Sequence, residues 1–223
     1  MTIVVVDYGM GNLRSVAKAL EHVADGVPIV VTDDPAQIAR AERIVFPGQG
    51  AMPDCMRELE ARGLRAAVLD AAGNKPFLGI CIGLQMLFER SEEGDTLGLA
   101  ILSGDVVRFP AEAMVDAEGR RLKVPHMGWN QVHQSEPHPM WTGIADATRF
   151  YFVHSYFPQP AQAELVAGYS HYPFAFCCAV ARANLFAVQF HPEKSHRAGL
   201  QLLANFVNWN VRSGTIAERA RCS

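Results

Sequence analysis

Lys75-Pro76-Phe77-Leu78-Gly79-Ile80-Cys81-Ile82-Gly83-Leu84-Gln85 decides the reading of this chain. A short apolar run gives way, across a glycine-flanked position, to the start of a helix. That predicts a buried strand, a sharp turn and a helix, with a cysteine at the corner. A nucleophile on such an elbow projects its reactive atom clear of the backbone, and the flanking glycines leave room for the turn. The N–H groups and positive dipole end of the following helix favour thiolate over thiol. The N–H of Ile82 is then placed as one oxyanion donor. Taken alone, the elbow fits a buried structural cysteine equally well.

A second segment breaks that tie. The run Leu185-Phe186-Ala187-Val188-Gln189-Phe190 reads as another apolar strand and ends in His191-Pro192-Glu193. Residues two apart on an extended segment face the same side, so His191 can approach Cys81 while Glu193 reaches the far ring nitrogen. Glu193 would set tautomer and orientation; His191 would take the thiol proton and later deliver it to a leaving group. By themselves a His and a Glu at a strand end are an ordinary loop feature. Together with the elbow they form the parts of a Cys-His-Glu triad. A third piece, Phe46-Pro47-Gly48-Gln49-Gly50, also follows a strand. A backbone N–H there could complete an oxyanion hole, although Pro-Gly after a strand is often only a turn.

Around these pieces the first 90 residues alternate β-rich and helical patterns. Strands are predicted at 3–7, 28–32, 43–46 and 76–80. Between the first two, Leu13, Val16, Ala17, Leu20 and Val23 share a helix face; Thr32-Asp33-Asp34-Pro35 is a helix-start signal, and further helices are expected from Pro53 to Gly63 and from 64 to 72. The first, second and fourth strands are continuous apolar runs, which predicts a parallel sheet covered on both faces. The second half reads as strands at 101–109, 121–124, 150–157, 165–170, 174–181 and 185–190, antiparallel additions to the same sheet. Ser195 is a candidate N-cap for a final helix with Leu200, Leu203, Phe206, Val207 and Asn210 on its main face. No linker or repeat interrupts the pattern, so one α/β domain over residues 1–223 is expected, with a mixed central sheet and helices on both faces.

Composition narrows the function. Hydrophobic residues make up 49% and charged residues 19%, which suits a full core rather than disorder. The net charge is −3 without a Lys/Arg block, which argues against nucleic acid as a partner. No apolar run approaches the roughly 18 residues of a membrane span, and the N-terminus reads as a core strand rather than a signal peptide. The five cysteines (55, 81, 177, 178 and 222) are odd in number and form no C-x-x-C, which points to a reducing, cytoplasmic compartment. The eight histidines lack H-E-x-x-H or zinc spacing, so neither metal nor cofactor is expected.

Gly79–Gln85 with Gln189-Phe190-His191-Pro192-Glu193-Lys194-Ser195 resembles the class I, or triad, glutamine amidotransferases. Asp7-Tyr8-Gly9-Met10-Gly11-Asn12, Pro125-His126-Met127-Gly128-Trp129-Asn130 and His154-Ser155-Tyr156-Phe157 are similar to the glutaminase subunits of imidazole glycerol phosphate synthases. The resemblance covers nearly the whole chain. It implies glutamine hydrolysis through a Cys81 thioester. Ammonia would pass to a separate (β/α)₈-barrel cyclase subunit of histidine biosynthesis, forming a heterodimer. It also implies that Gly50 and Gln85 line the glutamine pocket and that the backbone of Ser155 and Tyr156 grips the α-amino and α-carboxylate groups. The N–H of Gln49 becomes the second oxyanion donor, on a loop that reorients upon activation. Tyr8, Gly11, Asn12, Met127, Trp129 and Asn130 fall in cyclase-facing segments; burial and capping preferences alone would instead make Met127 and Trp129 core and Asn12 an N-cap. Two positions depart from the family pattern: Gln49 replaces an expected Val, and Ala187 an expected Gly. The triad alone also admits a glutaminase serving another synthase, a γ-glutamyl hydrolase, or a non-catalytic subunit that keeps the elbow as structure.

Overall fold

The computed structural model describes residues 1–116 and 118–211. The first half runs β1 (Ile3–Val6), α1 (Leu13–Val23), β2 (Ile29–Thr32), α2 (Pro35–Arg40), β3 (Arg43–Gly48), α3 (Met52–Ala61), α4 (Arg65–Asn74), β4 (Phe77–Cys81) and the single-turn α5 (Ile82–Gln85). The second half runs β5 (Arg90–Ser91), β6 (Thr96–Leu97), β7 (Gly104–Arg108), β8 (His126–Gln134), β9 (Thr148–His154), β10 (Tyr156–Pro160), β11 (Val166–His171), β12 (Ala175–Arg182), β13 (Leu185–Val188) and α6 (His196–Asn208).

The main sheet has nine strands in the order β2-β1-β3-β4-β13-β12-β11-β8-β9. The first five are mutually parallel; from β12 onward each neighbour is antiparallel. Traversal of the sheet reverses at β2, so right-handed crossovers send α1 to one face and α2 to α4 to the other. Accordingly α1 packs on α6 and α2 on α4. Local chemistry supports the elements. Asp34 caps α2 by accepting from the Ala36 N–H at 2.8 Å, with Pro35 at the first helical position. Val16, Ala17 and Leu20 are the buried stripe of α1. Strands β1, β4 and β13 are buried along their whole length, as a sheet covered on both faces requires.

Several expectations are corrected. A second, four-stranded sheet, β10-β7-β5-β6, takes the segment expected at 101–109 out of the main sheet. The run expected as one strand at 150–157 breaks at Ser155: β9 stays in the main sheet and β10 joins the second, because the Ser155 carbonyl accepts from the Phe109 N–H at 3.1 Å. Residues 121–124 form no strand; Arg121 makes only an isolated bridge to Val115 before Pro125. Strand β2 is a sheet edge with Val31 exposed, so its apolar run is not covered on both faces. Ser195 does sit at the N-cap of α6 without a side-chain cap bond. Asn210 lies beyond that helix, and Leu202 joins Leu203, Phe206 and Val207 in the buried face. Cys222 lies outside the described residues.

Candidate active site

Strands β3, β4 and β13 are adjacent and parallel, with Gly48 opposite Cys81 and Val188 opposite Ile80. Their carboxyl ends therefore deliver Pro47–Gly50, Cys81 and Gln189–His191 to one place. Open α/β sheets present ligands to that end.

The elbow is strained. Cys81 has φ 57° and ψ −113°, which for a non-glycine residue costs on the order of 1–3 kcal/mol. Close packing maintains it: a Cβ on Gly83 would lie 1.9 Å from the Phe46 carbonyl oxygen, so only glycine fits. A Cβ on Gly79 would lie 2.8 Å from that of Ala187, so Ala187 fits beside Gly79 because position 79 has no side chain. The helix after Cys81 is one turn long, which limits the dipole expected there to local N–H groups.

Cys81 and His191 are both buried. His191 Nδ1 and Glu193 Oε1 are 2.9 Å apart, in side chains 5% and 1% exposed. Burial alone would lower the His191 pKa, but the Cys81 sulfur and then the Glu193 carboxylate outweigh it and push it up to about 10. The His191 Nε2 is buried and makes no hydrogen bond of normal geometry, and the Cys81 sulfur is the group that acts on the ring most strongly. The backbone is bracketed as well. The His191 N–H donates to the Tyr151 carbonyl at 2.9 Å. The Ser195 hydroxyl donates to the His191 carbonyl at 2.7 Å and accepts from the Tyr151 N–H at 3.0 Å.

A cleft of about 320 Å³ opens over this pair, lined by Gln49, Gly50, Ile82, Gln85, Ser155 and Tyr156 among others. The structure therefore places every residue expected for the oxyanion hole and glutamine pocket on the lining of one cleft. Gly50 has φ +104°, and the exposed Gln49 directs its carbonyl to the Cys55 thiol, 3.5 Å away. Two residues escaped the sequence reading. Glu93 places a carboxylate on the cleft and accepts from the Met52 N–H at 2.8 Å. Gln189, fully buried, accepts from Gln85 Nε2 at 3.0 Å and directs its own Nε2 toward Cys81 Sγ at 3.8 Å. A glutamine inside an otherwise apolar strand run was the available signal.

The family profile "Glutamine amidotransferase class-I" matches residues 4–209. The imidazole glycerol phosphate synthase subunit HisH of Thiobacillus denitrificans is 68% identical over 208 residues, covering 93% of this chain and 91% of that protein. The HisH subunit of Aromatoleum aromaticum is 69% identical, covering 93% and 98%. This chain belongs to the class I glutamine amidotransferases, in the HisH family of imidazole glycerol phosphate synthase subunits. Solved structures at 18% identity share the fold. A Thermoplasma acidophilum protein assigned to GMP synthase superposes with TM-score 0.70, covering 99% of this chain and 98% of that one. The glutaminase domain of Trypanosoma brucei CTPS, solved with acivicin, gives 0.63, covering 94% and 95%.

The residues of this amidotransferase expected to face a partner divide. Met127 and Trp129 lie on the outer face of the β8–β9 hairpin, 62% and 41% exposed, with Trp129 stacked on His196 at 4.9 Å. They are not core. Gly11 and Asn12 lie half-buried at the start of α1, where Asn12 occupies the N-cap position without a side-chain cap bond. Tyr8 is not on the surface: it is fully buried, packs on Phe46 and donates to the Pro47 carbonyl at 2.8 Å. Asn130 alternates to the inner face, where its amide donates to the His171 carbonyl at 2.8 Å and meets His126 Nε2 at 3.2 Å. Among the described residues no helix is long and apolar enough to cross a membrane.

Proposed function

We propose that this chain hydrolyses glutamine through a γ-glutamyl thioester on Cys81 and supplies the ammonia to a (β/α)₈-barrel cyclase subunit. That partner consumes it in making imidazole glycerol phosphate and aminoimidazole carboxamide ribotide. The observation that carries the reading is a thiol on a strained elbow beside a buried, hydrogen-bonded His191–Glu193 pair.

The Cys81 thiolate attacks the side-chain carbonyl carbon of glutamine. The oxyanion that forms is met by the N–H groups of Ile82 and Gln49. Collapse breaks the C–N bond, and the His191 imidazolium protonates the departing nitrogen, so ammonia leaves and the thioester remains. His191, now neutral, takes a proton from water as the water attacks the thioester. Cleavage of the C–S bond releases glutamate and restores the thiolate–imidazolium pair. Glu193 accepts from Nδ1–H throughout and keeps Nε2 toward the reacting atoms.

The rest of the cleft suits an amino acid. Glu93 offers a carboxylate to the α-ammonium, and Gly50, Gln85 and the Ser155–Tyr156 backbone form the remaining walls. The outer hairpin face with Met127 and Trp129, together with the loop bearing Gly11 and Asn12, is the proposed cyclase contact. That loop rests on the oxyanion loop: Tyr8 holds Pro47, and a Cβ on Gly50 would lie 3.0 Å from Met10 Cε. Four unpaired cysteines among the described residues suit a reducing cytoplasm.

The test is glutamate release by the purified chain alone, then with the cyclase and a nucleotide ligand of that cyclase. Low basal release that rises strongly in the complex, and disappears in Cys81→Ala with partner binding retained, is expected. No release in either state, or retained turnover in Cys81→Ala, overturns the reading.

A further inference from the structure

A second group of ionisable side chains stands beside the cleft and has no step in the proposed reaction. His126 and His154 are a direct cross-strand pair of β8 and β9, 3% and 6% exposed. His126 Nδ1 and His154 Nε2 are 2.9 Å apart. On one side Asn130 Nδ2 is 3.2 Å from His126 Nε2; on the other His154 Nδ1 is 2.8 Å from the Tyr156 carbonyl oxygen.

Only one proton arrangement satisfies this chain. The Asn130 oxygen accepts from the Gln131 N–H at 2.8 Å, so the nitrogen end of the amide faces His126. His126 Nε2 must then accept, and its proton sits on Nδ1, which donates to His154 Nε2. His154 must in turn carry its proton on Nδ1, which donates to Tyr156. The far end demands the same, because a carbonyl can only accept. Protonating either ring would set two N–H groups against each other. Burial opposes that too, holding His126 down at about 4 and His154 at about 3.

The chain ends where the pocket begins. The Tyr156 carbonyl also accepts from Gln85 Nε2 at 3.2 Å, and Gln85 Nε2 donates to Gln189 Oε1 at 3.0 Å. With its nitrogen held twice, Gln85 keeps its Oε1 buried and without a partner. That oxygen is an unpartnered buried acceptor on a residue that lines the cleft, and an N–H of an amino-acid ligand would satisfy it. We propose that His126 and His154 are positioning residues: they fix the Tyr156 carbonyl, which fixes the Gln85 amide with its oxygen toward bound glutamine. The substrate named here rests on the function proposed above. The pair acts on binding, whereas the Cys81–His191 pair acts on bond making.

Three readouts test this on the full chain with its cyclase. In the wild type, ¹⁵N NMR of the two imidazoles at pH 7 should find both neutral with the proton on Nδ1. His154→Leu should raise KM for glutamine roughly 10-fold, with kcat changed less than about threefold, as loss of uniform binding predicts. His154→Asn, whose amide nitrogen replaces Nδ1 as donor to Tyr156, should recover most of that loss. Alkylation of Cys81 by iodoacetamide should proceed at the wild-type rate in both variants. An Nε2–H tautomer or an imidazolium at either ring overturns the proposal. So does an unchanged KM in folded His154→Leu, or equal losses in the Leu and Asn variants with slowed alkylation, which would make the pair merely structural. A wild type that releases no glutamate sinks the glutamine reading instead, and the tautomers still decide whether the chain of donors exists.

Discussion

The two halves of the main sheet solve different problems. On the parallel side, β1, β3, β4 and β13 are buried on both faces and end in backbone that tolerates no substitution, as at Gly83 against Phe46. The antiparallel side alternates. Along β8 and β9, His126, Asn130, Phe150, Phe152 and His154 turn inward, while Met127, Trp129, Tyr151 and Val153 turn outward. Enclosure on both faces gives the rigidity that a strained nucleophile needs. One open face gives a surface that can be docked without disturbing the core. The elbow thiol thus sits on the parallel side, while Met127 and Trp129, the outer part of the proposed cyclase contact, sit on the antiparallel side.

Glu193→Gln attacks the first half and should have the largest effect. Turnover should fall roughly 100-fold, less than on losing Cys81, while affinity for the cyclase is unchanged. Unaltered glutamate release would remove Glu193 from the triad. Trp129→Ala attacks the second half. It should weaken association with the cyclase roughly 10-fold, or uncouple ammonia delivery, with the isolated fold intact; a titration showing unchanged affinity and coupling would break the division proposed here. A last test reads stability rather than activity. His126, His138 and His154 all lie in the second half, and burial lowers them to about 4, 4 and 3. Below pH 6.5 the unfolded chain binds protons that the folded one refuses, so stability is lost as pH falls toward those values. Urea unfolding should show the chain less stable at pH 5 than at pH 7, with His138 contributing least because of its partial solvent access. His191 runs the other way: its contribution is full below pH 6.5 and is lost as pH rises from there toward about 10, so between pH 7 and pH 5 it offsets a small part of this loss. A flat profile would mean these rings are solvated.

The parallel half was legible because its signals are local. Cys81 between Gly79 and Gly83, Asp34-Pro35 before α2 and the apolar run into His191 each carry their own mechanical reason. Much of the rest depends on distant partners. His126–Gln134 is a nine-residue strand rich in polar residues, which pairing with β9 makes regular; no β-propensity announces it. The run through Ser155 reads as one strand, yet a carbonyl bond to Phe109 moves the chain to another sheet. Tyr8 and Asn130 sit in segments that resemble partner-facing ones, but loop packing buries the first and strand alternation turns the second inward. Glu93 joins the cleft through a 3₁₀ turn that nothing near Cys81 in sequence indicates.

Tyr151 links the halves. Its carbonyl and N–H, through Ser195, hold both ends of the His191 peptide, while its side chain and its cross-strand partner Trp129 face outward on the proposed docking patch. A redesign of partner preference on that proposed face therefore works on the crossbeam that carries the proposed general base. Exchanging side chains there without shifting the strand would rewire the complex and leave chemistry alone. Moving the strand by a fraction of an ångström would change both, so lineages that switch partners should keep this backbone and vary only what it displays.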